Sequence, residues 1–156
     1  MKFKTIIHGF LWGASIFIIG PIVFSYLNIR FSLPVLRFTS TMVIRISLAC
    51  IALVGYIYCM VLFAKDGKGT IVPSDPPKKL IIKGPYRYTR NPIFLLHMLF
   101  YLGLAFTFSF LLLFVYFVLS IPVYHLRVRY KEEPIMVDRF GSDYENYMKK
   151  VPRWLF

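Results

Sequence analysis

Acidic side chains are scarce in this sequence: seven of 156 residues, none before Asp66 and none between Asp75 and Glu132. The long segments without a carboxylate are apolar, and each would be costly to leave in water. Cysteine is nearly absent too. Cys50 and Cys59 are the only two, and both lie in one apolar run. Nine residues apart on one helix, they cannot bridge, which excludes a disulfide framework; they read as small core residues. No histidine–carboxylate metal spacing, nucleophile elbow or Walker loop is present, and Gly67-Lys68-Gly69 is too short to be a phosphate loop.

What the chain does have is apolar length. Hydrophobic residues make up 58% and mean hydropathy is +0.63, above the roughly half-apolar make-up of soluble domains. The pooled runs point to a membrane. The first spans 6–27, with Gly20-Pro21 as a kink, and the second spans 43–64, where Arg45 can snorkel to the interface. Each has the ~20 residues that one crossing needs. Lys2 and Lys4 precede a run too long for a signal-peptide core, so it reads as a first anchor. The stretch from Pro92 to Leu126 is too long for one crossing, at ~1.5 Å per residue. It predicts a hairpin of a third and a fourth helix, turning near Thr107-Phe108-Ser109. The expected fold is all-α, a polytopic membrane protein of about four transmembrane helices plus C-terminal amphipathic helices.

The formal net charge of +12 raises the question of nucleic acid, and the placement of the charges answers it. With the N-terminus inside, Lys2 and Lys4, seven basic residues from Lys65 to Arg90 and seven from Arg127 to Arg153 fall on the inner side. Only Arg30, Arg37 and Arg45 fall outside. This is the positive-inside pattern. It predicts both termini in the cytoplasm, with a bacterial inner membrane as the expected location and no nucleic-acid partner. The chain is expected to form one domain over 1–156.

The inner loop carries Gly67, Gly69, Pro73, Pro76, Pro77, Gly84 and Pro85, so it reads as irregular and ordered. In the tail, Met136, Phe140, Tyr144, Tyr147 and Met148 recur at helical spacing. Gly141 reads as the end of one short helix, Ser142 and Glu145 as the capping box of the next, and Pro152 as its stop. These helices would lie along the membrane surface or fold back over the loop.

Three places could carry chemistry. Asn91 suits an N-cap and Pro92 the first turn of the third helix. With Arg87, Arg90, Tyr86 and Tyr88 beside it, that helix start could hold a carboxylate or phosphate, or could simply anchor at headgroup level. Glu132-Glu133, after Arg127 and Arg129, could bind an ammonium or ribose hydroxyls, or could be a solvated helix end. His97 sits inside the third helix, where an ionisable group is either functional or bonded to a neighbouring helix. His8 and His125 lie near membrane ends.

In order, Gly67-Lys68-Gly69-Thr70, Pro73, Pro76-Pro77, Leu80 and the run from Gly84 to Pro92 are followed, after the hairpin, by Glu132-Glu133-Pro134. Then come Phe140-Gly141, Tyr144, Tyr147 and Val151-Pro152-Arg153-Trp154. This pattern resembles the isoprenylcysteine carboxyl methyltransferase and phospholipid methyltransferase family of integral-membrane enzymes, over a core of 65–156. The resemblance implies methyl transfer from S-adenosylmethionine to a hydrophobic or lipid-linked acceptor, by carboxyl O-methylation or N-methylation, without a Rossmann domain. It implies a cofactor pocket lined by Lys79, Leu80, Ile81 and Tyr86, by Arg90 and the Asn91-Pro92-Ile93-Phe94 turn, and by Glu132 and Glu133. Arg129 or Arg127 would orient the acceptor beside Glu132, and no metal is implied. Many members have histidine where Asn91 stands; asparagine keeps the hydrogen bonding but cannot act as a base. Two further readings are a nicotinamide-dependent reductase related to the sterol reductases and a non-enzymatic membrane partner of the same fold.

Overall fold

The computed structural model describes residues 15–39, 42–69 and 76–155. Lys2, Lys4, His8, Thr70, Pro73 and the start of the first run lie outside the described residues. A π-helical turn, Ser15–Ile19, leads into α1 (Gly20–Arg30), so the break expected at Gly20-Pro21 is a change of helical winding. Pro21 stands at the second position of α1, directly after the π-helical turn. Next come α2 (Met42–Lys65), α3 (Pro92–Phe108) and α4 (Leu111–Arg127). The last continues through a π-helical turn, Val128–Glu132, into α5 (Glu133–Phe140), and α6 (Ser142–Lys150) follows. Among the described residues there is no strand, so the all-helical expectation holds.

Among the described residues, two helices are long and apolar enough to cross a membrane: α2 and the continuous helix Leu111–Phe140. Phe17–Arg30 and Pro92–Phe108 are apolar but shorter. The hairpin turns where the sequence predicts. Its third helix ends at Phe108, Ser109 takes the left-handed conformation at φ 61°, and α4 begins two residues later. The segment before α2 meets this turn, with Leu36 N–H donating to Ser109 O and Leu111 N–H to Pro34 O. Buried Asn28 ties α1 to the same end, accepting from Leu112 N–H and donating to Leu33 O.

Close helix contact needs small residues where backbones meet. A Cβ on Gly103 would stand 2.5 Å from the Ala49 backbone nitrogen, so α2 and α3 touch there. A Cβ on Gly20 would strike the Tyr116 ring, fixing α1 against α4. The interior is aromatic: Tyr101 and Tyr124 share a hydroxyl–hydroxyl bond of 2.9 Å, and Phe106 meets Phe114 edge-on. Much of the apolar surface faces outward, including Ile44, Val54, Val118 and Val123.

One expectation fails in α2. Cys59 is buried, whereas Cys50 is exposed. Nine residues at about 100° each place the two thiols on opposite faces of the helix.

Candidate functional site

A turn of 3₁₀ helix, Gly84–Arg87, delivers the chain to the start of α3. Gly84 has φ +56°, and a Cβ there would stand 3.0 Å from the Tyr58 hydroxyl and 3.1 Å from the Leu62 side chain of α2. Asn91 stands at the N-cap position but makes no side-chain cap. Its Nδ2 instead donates to Arg153 O at 3.1 Å, and its own N–H donates to Thr89 Oγ1. The tail outcompetes the helix end for this amide, because Thr89 Oγ1 and Arg90 N–H also bond to the Pro152-Arg153 backbone. The capping box at Ser142 is likewise absent. Gly141, with φ +51°, takes the N-cap place, and its carbonyl accepts from Tyr144 and Glu145 N–H.

The C-terminal helices fold back over the loop. Tyr147 donates its hydroxyl to Tyr86 O at 2.6 Å, and Arg139 Nη1 bonds to Pro77 O at 3.3 Å. Tyr144, Tyr147 and Val151 form a buried cluster with Leu80, Met136 and Phe140 against it. The stripe read from the sequence is the underside of this cover. Burial pushes the Tyr86 hydroxyl well above its ordinary value, and burial raises Tyr144 and Tyr147 too. All three stay neutral.

Beneath the cover is a cavity of about 350 Å³, within the ~300–1,000 Å³ typical of small-molecule sites. Of the residues implied by the resemblance, Leu80, Ile81, Tyr86, Arg90, Asn91, Ile93, Phe94, Arg127 and Glu132 line it. Lys79, Pro92, Arg129 and Glu133 do not. Lys79 is exposed on an open outer groove beside Lys78, Arg87 and Lys150, because the adjacent Leu80 and Ile81 take the inward positions. Pro92 is buried in the first turn of α3. Arg129 stacks over the Tyr130 ring at 5.4 Å on the outside, two residues and over half a turn from Arg127.

The two glutamates part company. Glu132 accepts from Arg127 Nε at 2.9 Å at the cavity wall. Glu133 is buried and held by both Nε and Nη2 of Arg153, at 2.9 and 2.7 Å, with Arg90 Nη1 at 3.1 Å. That fork raises the Arg153 guanidinium above its ordinary value, chiefly through the hydrogen bond to Glu133. Glu133 is thus a structural anchor joining the loop, the post-hairpin helix and the tail.

Several lining residues lay beyond sequence reasoning: Phe63, Pro76, Pro77, Lys131, Ile135, Met136, Arg139, Tyr144 and Tyr147. The two tyrosines and Met136 stood in the helical stripe, but nothing local showed what the stripe covers. Among the described residues the lining is mixed in charge, with Arg90, Arg127, Lys131 and Arg139 around the carboxylate of Glu132. Arg90 is buried, and its Nε has no hydrogen-bond partner among the described residues. A guanidinium in the lining of a cavity suits an anionic group on a ligand.

A model of the phospholipid methyltransferase family matches residues 42–143, from the start of α2 into α6. No curated protein and no solved structure matches the chain. The family match spans the hairpin, the loop and the post-hairpin glutamates, and the described residues include two helices fit for a membrane. Enzymes of this kind are membrane methyltransferases, which generally draw the methyl group from S-adenosylmethionine and act on lipids. The chain belongs to the phospholipid methyltransferase family.

Proposed function

We infer that this protein is a multi-pass membrane enzyme that transfers a methyl group from S-adenosylmethionine to a lipid or lipid-linked acceptor. The observation that carries the reading is the cavity beneath the cover, lined by Arg90 from the start of α3 and by the Glu132 carboxylate from the post-hairpin helix. The residues fit the cofactor. Arg90, beside the start of α3, suits the methionine carboxylate; Glu132 suits the ammonium or the ribose diol; Tyr86 and Phe94 offer ring faces to adenine or sulfonium. S-adenosylmethionine would supply an electrophilic methyl group on sulfur. The protein's part is positioning and exclusion of water, which can supply most of the acceleration of an in-line displacement. Arg127, held by Glu132 and packed over the Phe94 ring at 6.0 Å, stands where the cavity meets the hairpin and would orient the acceptor.

The charge distribution supports four crossings in an inner bacterial membrane, with both termini in the cytoplasm and the chain acting as one domain. In that orientation the cavity opens toward the cytosol and the acceptor enters sideways from the bilayer. The amphipathic α5 and α6 form a cytoplasmic cover. The family assignment does not favour the reductase reading. The acceptor's reacting group is a carboxyl oxygen or a nitrogen, and both are compatible with this pocket.

Isothermal titration of S-adenosylmethionine and its demethylated product into the detergent-purified protein tests the reading, with Glu132→Ala as comparison. Saturable binding, weakened at least about tenfold in the variant (~1.4 kcal/mol), is expected. A folded wild-type protein that takes up neither ligand would refute the cofactor assignment.

A further inference from the structure

His97 is buried among the rings of Tyr56, Phe94 and Tyr124 and lines neither the cavity nor the outer groove. The groove is another matter. It runs between the outer face of the loop and the end of α6, with a volume of about 790 Å³. Lys78, Lys79 and Arg87 reach it from the loop, and Lys150 from the last position of α6. All four are exposed. Their neighbours in sequence and space meet carboxylates: Lys83 pairs with Asp66, Arg90 and Arg153 with Glu133, and Arg127 with Glu132. Among the described residues none of the four groove cations has such a partner, and Asp143 is the one acidic residue in the lining. Like charges gathered in one concavity repel each other, and an external anion would offset that cost.

The apolar parts of the groove indicate which anion. Ile82, in the lining, is 45% exposed, and Tyr88, next to Arg87, is 70% exposed. Cations beside an exposed aliphatic side chain and an exposed tyrosine suit a surface at headgroup level. A free phosphate would use the cations but leave Ile82 in water. Arg90 N–H bonds to Pro152 O, which sets Arg87 and Lys150 near the start of α3. In the orientation proposed above, that is where the apolar helix enters the bilayer. We propose that the outer groove binds the headgroup of an anionic phospholipid, which bridges the loop and α6 and clamps the cover onto the loop. Leu80 and Tyr147 line both the groove and the cavity, so they form the wall between them. Tyr147 also holds the Tyr86 carbonyl through its hydroxyl. A headgroup in the groove therefore reinforces a contact that already fastens the cover. This lipid is a component of the site and not the molecule acted on, and the inference stands whether or not the cavity takes S-adenosylmethionine.

The test uses full-length protein in neutral maltoside micelles, titrated with dioctanoyl phosphatidylglycerol by calorimetry and followed in parallel by thermal melting. Saturable binding is expected, with a melting temperature raised by roughly 5–10 °C at a hundredfold excess over Kd. Dioctanoyl phosphatidylcholine has the phosphate but no net charge, and inorganic phosphate has the charge but no chains. Each should bind at least about tenfold more weakly. Lys79→Gln/Lys150→Gln removes one cation from each side of the groove and should weaken phosphatidylglycerol binding at least about tenfold. Lys78→Gln/Arg87→Gln should do the same, and decides the matter if the first variant does not fold. Lys65→Gln/Lys149→Gln removes equal charge from exposed positions outside the groove and should leave affinity within about twofold. Equal weakening in groove and control variants would mean a diffuse surface field and overturn the inference. So would inorganic phosphate or phosphatidylcholine matching phosphatidylglycerol. Oligoglutamate binding where phosphatidylglycerol does not would give the groove to an acidic peptide instead. Lipid binding that leaves the melting temperature unmoved would remove the clamp and the inference with it.

Discussion

Replacing Glu133 by alanine removes the carboxylate that joins three segments. Arg90 and Glu133 side chains are 8% and 10% exposed, whereas Arg153 is 27% exposed. Deleting one partner of a buried ion pair costs about 3–5 kcal/mol, because the remaining charge is stranded. Here two guanidiniums lose their partner, but Arg153 can turn toward water, so about 2–3 kcal/mol is the better figure. For a chain of this size each kcal/mol moves the melting temperature by about 2–4 °C. The expected loss in detergent is therefore roughly 5–10 °C, followed by circular dichroism at 222 nm. The effect should reach the cavity although Glu133 does not line it. The Pro152 and Arg153 carbonyls hold Arg90 N–H, Thr89 and Asn91, so releasing the tail loosens the start of α3 and weakens S-adenosylmethionine binding. Glu133→Gln, which keeps one acceptor oxygen, should lose about half as much. A Glu133→Ala protein that melts within about 1 °C of the wild type would refute the anchoring role.

Two further predictions concern the cover and the helix contact. The raised Tyr86 hydroxyl stays protonated in the fold while an unfolded tyrosine ionises near pH 10. Above that pH the unfolded chain binds fewer protons, so stability is intact below about pH 10 and falls as pH rises, by up to ~1.4 kcal/mol per unit from this group. Tyr86→Phe should flatten the alkaline decline of the melting temperature, and an unchanged pH profile would contradict its burial as the cause. Gly103→Ala puts a Cβ 2.5 Å from the Ala49 nitrogen and 2.9 Å from its Cα, which are backbone and cannot swing aside. A loss of about 1–3 kcal/mol is expected, read as a lower melting temperature, and a neutral result would contradict the α2–α3 contact.

Hydropathy alone located the second apolar helix to within a residue at each end, and the hairpin turn expected near Thr107-Phe108-Ser109 falls at Ser109. These features are local: apolar length, a polar pair in an apolar stretch, a glycine at a helix end. The stripe of Met136, Phe140, Tyr144 and Tyr147 was legible for the same reason, since helical period is a property of neighbouring residues. The opposed faces of Cys50 and Cys59 were also within reach, by counting nine residues around a helix, but composition alone suggested the core for both. Only the tertiary structure separated Glu132 from Glu133 and Arg127 from Arg129. In each pair the two residues have the same chemistry and near-identical sequence context, and the distinction depends on what lies across from each. Arg153 and Arg90 reach Glu133 from opposite ends of the described core, while Glu132 turns to Arg127 and the cavity. A sequence lists such charges in order along the chain. Coulomb attraction and hydrogen bonding act through distances of about 3 Å, and the folded packing of the helices sets those distances.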